Sequence, residues 1–82
     1  MDNLVIIEVK SVMASDADVR DDHEKLIRFL SMERPYQCGI QLVFGDNAER
    51  FEKFIRIYRE ANRPQLRLYW HRRCGECANR TV

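Results

Sequence analysis

A short apolar run that ends in two opposite charges is the feature that most constrains the fold of this chain. Residues 4–7 read Leu-Val-Ile-Ile and are followed by Glu8, Val9 and Lys10. A short run rich in β-branched residues is typical of a strand covered on both faces, as in parallel sheets. Because side chains alternate along a strand, Glu8 and Lys10 project to the same side. The sequence therefore predicts a buried strand with a charged pair at its end.

A helix is predicted after this strand, over residues 18–33. Its apolar positions recur with helical spacing: Val19, Leu26, Ile27 and Leu30. Asp18, Asp21 and Asp22 lie in its first turns, where the helix dipole favours negative charge. Pro35 follows the last turn and cannot continue the helix.

The second half of the chain repeats the strand and helix pattern. Residues 37–44 form an apolar run that Gly45 interrupts, and Asp46 with Glu49 has the spacing of a capping box. The helix that follows has an apolar stripe of Phe51, Phe54, Ile55 and Tyr58. Residues 65–71 then alternate apolar and polar side chains, as a half-exposed strand does.

These elements predict an α/β fold with the order β-α-β-α-β and a small three-stranded parallel sheet. Strands joined by helices of this length pair in parallel through right-handed crossovers. We expect one domain over residues 1–72 and a frayed basic tail with two cysteines over residues 73–82. The first strand lacks a neighbour on one side, so a preceding hairpin, a second copy or a partner chain is expected to cover it.

Composition and charge indicate the cellular compartment in which the protein is expected. The longest apolar stretch is far shorter than the ~20 residues of a membrane helix, and Asp2 stands where a secretory signal would carry basic residues. Three cysteines in such a chain indicate reduced thiols and a cytoplasmic location. The first 33 residues carry a net charge of −4 and the remainder +5. Such asymmetry is found where an acidic metal site adjoins a phosphate-binding surface, and also where solvated faces differ in charge.

The chain resembles the PD-(D/E)XK nucleases, which have the restriction-endonuclease-like fold. The matching segments are the strand at residues 4–10 with its Glu-Val-Lys ending, the helix opening at residues 22–26 (Asp-His-Glu-Lys-Leu) and the strand at residues 39–45 (Gly-Ile-Gln-Leu-Val-Phe-Gly). The likeness extends over about residues 3–70 and rests on the order of elements as much as on identity. It corresponds to the C-terminal part of the family core.

The resemblance implies magnesium-dependent phosphodiester hydrolysis of DNA, with manganese as an alternative metal. Glu8 would be the carboxylate ligand, Val9 the carbonyl ligand, and Lys10 the group that orients or activates the attacking water. The family also uses an aspartate on a preceding strand, and here only Asp2 stands upstream, six residues from Glu8 and roughly 20 Å along the same strand. The sequence thus indicates a truncated or degenerate nuclease-like domain.

Basic residues of the second helix form a candidate nucleic-acid contact. Arg50, Lys53 and Arg56 are separated by helical spacings, and basic side chains dominate non-specific DNA affinity. Acidic residues are interleaved with them, which favours an ordinary solvated helix face.

The tail contains a possible zinc site. His71, Cys74 and Cys77 could supply three ligands of a tetrahedral zinc ion, with Cys38 as the fourth. A complete zinc site normally shows two ligand pairs and only one is visible, so the sequence favours a basic tail. The alternative to the nuclease hypothesis is a non-enzymatic α/β interaction module, zinc-stabilised or not, that binds a partner through its first strand and its basic second helix.

Overall fold

The computed structural model describes residues 5–31 and 38–82, and it has an α/β architecture. The elements are β1 (Val5–Ser11), α1 (Asp16–Leu30), β2 (Cys38–Phe44), α2 (Ala48–Ala61), β3 (Leu66–His71) and β4 (Asn79–Arg80). The predicted β-α-β-α-β order is confirmed over these ranges. Several predicted positions lie outside the described residues: Asp2 and Leu4, the end of the first helix at Glu33 with Pro35, and the first residue of the second strand, Gln37.

The sheet has four strands in the order β1-β2-β3-β4, one more than the sequence predicts. The first three are parallel, and β4 is antiparallel to β3. The extra strand comes from the segment that the sequence assigns to a frayed tail. The Thr81 amide donates to the Leu68 carbonyl, the Leu68 amide donates to the Val82 carbonyl, and Val82 packs against the core. Backbone pairing therefore anchors the end of the segment.

Both helices cover the same face of the sheet. The helices α1 and α2 contact each other, and their buried side chains share one core with those of β2 and β3, so the core lies between this side of the sheet and the helices. The fully buried side chains include Leu26 of α1, Val43 of β2, Phe54 of α2 and Leu68 of β3. Val5, Ile7 and Val9 lie on the other side and are exposed. The prediction that the first strand is covered on both faces is therefore wrong for the described residues.

Side chains cap each helix at its first turn. Ser15 accepts a hydrogen bond from the Asp18 amide at 3.2 Å, so α1 begins two residues earlier than predicted. Asn47 accepts from the Arg50 amide at 3.0 Å at the start of α2. The predicted capping box of Asp46 and Glu49 is wrong, because the carboxylate of Asp46 instead pairs with two arginines after β3.

The buried stripe of α2 is close to the predicted one. Phe51, Phe54 and Tyr58 are buried as expected, while Ile57 is buried and Ile55 only half-buried. Phe51 stacks on Trp70 with ring centroids 4.3 Å apart. Among the described residues, no helix has the length and apolar character needed to span a membrane.

Gly45 connects β2 to α2 in a conformation that other residues rarely adopt. Its φ is +122°, its carbonyl accepts from the Trp70 indole at 2.8 Å, and a Cβ at this position would lie 2.6 Å from Cγ1 of Val12. Glycine is therefore required here both by backbone conformation and by packing.

We expect Gly45→Ala to lower the free energy of unfolding by about 2–4 kcal/mol, through backbone strain and overpacking against Val12. Gly75→Ala is the matched control, because Gly75 also has a positive φ (+88°) but nothing lies within 4 Å of its added Cβ. Its loss should be about 1 kcal/mol. Urea denaturation of both variants measures the difference, and equal losses would contradict the packing argument.

Candidate functional site

Glu8 and Lys10 lie on the helix-covered side of β1, where each is paired with α1. Lys10 Nζ is 3.0 Å from Asp22 Oδ2, and Lys25 Nζ is 2.9 Å from Glu8 Oε1. The prediction that Glu8 and Lys10 share one side of the strand is thus consistent with the contacts. We call these four residues the β1–α1 charge cluster. Each charge of the predicted pair has a partner on the helix.

The cluster lies at the flank of the domain and is only partly shielded from water. The side chains of Glu8 and Asp22 are 21% and 15% exposed, and that of Lys25 is 46% exposed. Asp22 and Lys25 are three residues apart on α1, so they project from one face of the helix over β1. Leu26, next to Lys25, is fully buried and holds this face of α1 against the sheet.

A fully buried glutamine connects the cluster to α2. Gln41 has 0% exposure, and its Cα is the register partner of Glu8. Its Nε2 donates to the Glu8 carbonyl at 3.0 Å, and its Oε1 accepts from the Tyr58 hydroxyl at 3.0 Å. The two bonds join β1, β2 and α2 at one point beneath the charges.

The carboxylates of Glu8 and Asp22 act on the same neighbouring groups. Burial raises the pKa of Tyr58 far above its ordinary value, and the negative charges of Asp22 and Glu8 raise it further. The hydrogen bond to Glu8, and then its charge, raises the pKa of Lys25, to which Asp22 also contributes. Both carboxylates therefore act on the Tyr58 hydroxyl and the Lys25 ammonium group.

His23 lies against Tyr58 next to the cluster. The two rings meet edge to face with centroids 4.9 Å apart, and His23 Nε2 is buried without a hydrogen-bond partner among the described residues. Burial lowers the pKa of His23; Glu24 opposes the shift, and Arg63 and Arg20 reinforce it. His23 is therefore held in its neutral form.

Two oxygen atoms in this region, Asp22 Oδ2 and the Val9 carbonyl, can each accept a further hydrogen bond or a metal ion. Asp22 Oδ2 is buried and has the Lys10 ammonium within ion-pair distance but no hydrogen bond of good geometry. The amide of Val12, just after β1, donates to the Phe44 carbonyl on β2. Backbone groups of successive strand residues point to opposite sides, so the carbonyl of Val9 points away from β2, toward the edge of β1 that is unpaired among the described residues.

The predicted zinc ligands lie at the carboxyl end of β3 and beyond it. His71 ends β3, and Cys74 and Cys77 are exposed in the segment that follows. Within residues 5–31 and 38–82, no three His, Cys, Asp or Glu side chains are arranged to hold a metal ion. Cys38 starts β2, whereas His71 is the register partner of Phe44 at the other end of that strand. Six residues of strand, roughly 20 Å, separate the two ends, so Cys38 is too far away to be the fourth ligand.

The three basic residues predicted to contact nucleic acid differ in their surroundings. Lys53 is half-buried, pairs with Asp16 at 3.1 Å and donates to the Ala14 carbonyl, so its ammonium group stabilises the start of α1. Arg50 and Arg56 are exposed, and neither has an ion pair among the described residues. Of the three predicted contacts, these two arginines are free to contact a phosphate backbone.

The sequence analysis assigned no role in the site to five residues of this region: Asp22, His23, Lys25, Gln41 and Tyr58. A signal for Asp22 and Lys25 was present in the sequence, because their i,i+3 spacing beside an apolar position matches one helix face over a strand. Gln41 is the one strongly polar side chain in an otherwise apolar strand, which marks a buried polar group that needs partners.

The chain was also compared with models of protein families, with curated proteins and with solved structures. None of the three comparisons finds a match.

Removing one partner of the buried bond between Tyr58 and Gln41 should cost about 1–3 kcal/mol of unfolding free energy, because the remaining polar atom is left buried without a partner. We expect this loss for Tyr58→Phe. The double variant Tyr58→Phe/Gln41→Met should lose less than the sum of the two single variants, since neither polar group then remains. Urea denaturation measures the cycle, and strict additivity would contradict the coupling.

His23 should make stability depend on pH. Its pKa is lower in the folded protein than the ordinary value of 6.5, so the unfolded chain binds the proton more readily. The contribution of neutral His23 is complete above pH 6.5 and is lost as the pH falls toward the folded-state pKa. Urea denaturation between pH 8 and pH 5 should show a decline that is smaller in His23→Gln. An unchanged decline in His23→Gln would contradict this origin.

Proposed function

We propose that this chain is a magnesium-dependent nuclease-like domain that hydrolyses phosphodiester bonds of DNA at the β1–α1 charge cluster. The observation that carries the proposal is that two partly buried carboxylates, Asp22 and Glu8, pair with the ammonium groups of Lys10 and Lys25 where α1 packs on β1. Partly buried acidic and basic side chains gathered at one place are candidates for a functional site. The resemblance of the strand ending Glu8-Val9-Lys10 to the PD-(D/E)XK pattern supports the same reaction.

The donor set fits magnesium or manganese. Magnesium binds through one or two carboxylates and keeps several water molecules, so Glu8, Asp22 and the Val9 carbonyl suffice as protein ligands. The Asp22 oxygen without a hydrogen bond is free to take such a ligand position. When bound, the ion supplies charge stabilisation on the phosphate and lowers the pKa of a coordinated water.

In this proposal Asp22 replaces the aspartate that the family carries on a preceding strand. Asp22 is supplied by the helix that follows β1, and the buried Leu26 one turn later fixes its position. Lys10 holds a proton beside Asp22 and can donate hydrogen bonds to a water or a phosphate oxygen. Lys25 neutralises Glu8 in the absence of metal, so metal binding requires displacement of its ammonium group.

Gln41 and Tyr58 position the cluster from below. Their two hydrogen bonds fix the backbone carbonyl of Glu8, the residue whose side chain faces the metal in this proposal. Tyr58 stays protonated because its pKa is strongly raised, so it acts as a fixed hydrogen-bond donor. Exposed Arg50 and Arg56 on α2 are the proposed contacts to the DNA backbone.

The test is nicking of supercoiled plasmid in magnesium or manganese by the parent and by Lys10→Ala. We expect nicking by the parent and a loss of at least about 100-fold in the variant, the usual range for a group that moves or orients a proton. Arg28→Ala, an exposed change on α1, is the matched control and should keep the parental rate. Circular dichroism establishes that each variant is folded.

Metal binding provides a second measurement that does not depend on turnover. Titration of manganese, followed by its electron paramagnetic resonance signal, should give weaker binding in Glu8→Gln and Asp22→Asn than in the parent. An inert parent that also binds no manganese, or equal nicking by the parent and Lys10→Ala, would overturn the proposal.

A further inference from the structure

The face of the sheet opposite the helices is apolar and open to solvent. Val5, Ile7 and Val9 of β1 are 48%, 56% and 57% exposed, and Phe44 of β2 is 46% exposed. Ile40 and Leu42 lie between them on β2 and are half-buried. We call this surface the open sheet face.

The setting of the open sheet face is unusual for a free surface. Its apolar side chains come from β1 and β2, two strands of seven residues that cover roughly 200 Å² at the usual strand spacing and rise. The positions of β3 on this face are Arg67, Tyr69 and His71. Contiguous exposed apolar patches are often functional. Parallel sheets are almost always covered on both faces, and here the described residues cover only one.

An arginine with a buried nitrogen that lacks a hydrogen-bond acceptor in the described part of the chain, Arg67, lies at one side of this face. Arg67 of β3 is the register partner of Ile40 and half-buried, and its Nε is buried without a hydrogen-bond acceptor among the described residues. None of the ion pairs between described residues includes Arg67. A buried guanidinium nitrogen that lacks an acceptor is costly, and a carboxylate is the best bidentate partner of an arginine.

The charges of this face decide which occupant fits. The face-directed positions of β1, β2 and β3 include no acidic side chain. A second copy stacked face to face would therefore bring apolar surface but no carboxylate, and both Arg67 side chains would remain unpaired. A different polypeptide with apolar side chains and a carboxylate satisfies both requirements.

The shape of the face favours a helix as that occupant. Helices are the elements that cover parallel sheets, as α1 and α2 do on the other side. A helix with apolar residues at i, i+3, i+4 and i+7 presents one stripe to a flat apolar surface, and acidic residues beside the stripe reach its border.

We propose that the open sheet face binds an amphipathic helix of another polypeptide, with a carboxylate beside its apolar stripe that pairs with Arg67. The side chains that make the apolar contact are Val5, Ile7, Val9, Leu42 and Phe44. This surface lies on the opposite side of the sheet from the β1–α1 charge cluster, so the binding is independent of the proposed hydrolysis.

Two synthetic helical peptides test the proposal. Both carry the same leucine stripe, and the positions beside the stripe are glutamate in one and lysine in the other. Fluorescence anisotropy with the full chain should show the acidic peptide binding at least 10-fold more tightly than the basic one. Arg67→Glu should reverse this preference, and Arg67→Gln should abolish it.

Further variants test whether the peptides bind at the open sheet face. Arg20→Glu makes the same charge change on α1, on the other side of the sheet, and should retain the preference of the parent. Ile7→Ser removes exposed apolar surface without opening the core and should weaken both peptides. Circular dichroism and urea denaturation confirm that each variant is folded.

Other outcomes overturn the proposal. Equal affinity for both peptides, or a preference that Arg67→Glu leaves unchanged, rules out the carboxylate contact. Dimerisation in sedimentation equilibrium that Ile7→Ser abolishes and that excludes both peptides identifies a second copy as the occupant. Binding to anionic phospholipid vesicles with no binding of either peptide identifies a membrane surface instead.

Discussion

Gln41 supplies the interaction on which the arrangement of this domain depends. Its side chain is fully buried between β1 and α2, and it uses its amide nitrogen for the Glu8 carbonyl and its amide oxygen for the Tyr58 hydroxyl. A buried amide without partners costs about 1–3 kcal/mol, so the two bonds specify where α2 lies over the sheet as well as stabilising it. The apolar contacts around them, such as Phe51 on Trp70, are less directional and tolerate more movement.

The charges of the candidate site lie directly above this buried bond. Glu8 and Lys10 could not both be accommodated beneath α1 without partners, since a partly buried charge must be paired. Asp22 and Lys25 provide them, and the result is a cluster of two carboxylates and two ammonium groups with no net charge. The same arrangement stabilises the packing of α1 on β1 and, in the function proposed above, supplies ligands to an ion that competes with the lysines. The proposed hydrolysis and the structural role thus draw on the same contacts.

The two faces of the sheet differ because both helices pack on one of them. The helices α1 and α2 contact each other and share one core with β2 and β3. The side chains that alternate to the other side are nonetheless apolar, including Val5, Ile7, Val9 and Phe44. The same alternation that aims Glu8 and Lys10 at α1 therefore directs an apolar surface outward. The β1–α1 charge cluster and the open sheet face both follow from the alternation of side chains along β1.

The local pattern of the sequence determined the element types and much of their extent. β-branched runs, helical stripes and the glycine at residue 45 predicted three strands and two helices, and alternation predicted that Glu8 and Lys10 share a side. The predicted cap of α2 was wrong, because Asp46 and Asn47 are both good capping residues. Only the position of Arg72 and Arg73 in space assigns Asp46 to ion pairs. The local sequence also does not predict that residues 79–82 pair with β3, because that segment has no strand-like alternation. Only the tertiary structure decided which residues pair with Glu8 and Lys10 and which residues Gln41 bonds to, because these contacts join residues that lie far apart in the chain. It also decided which face of the sheet stays uncovered, because that depends on the side on which the helices pack.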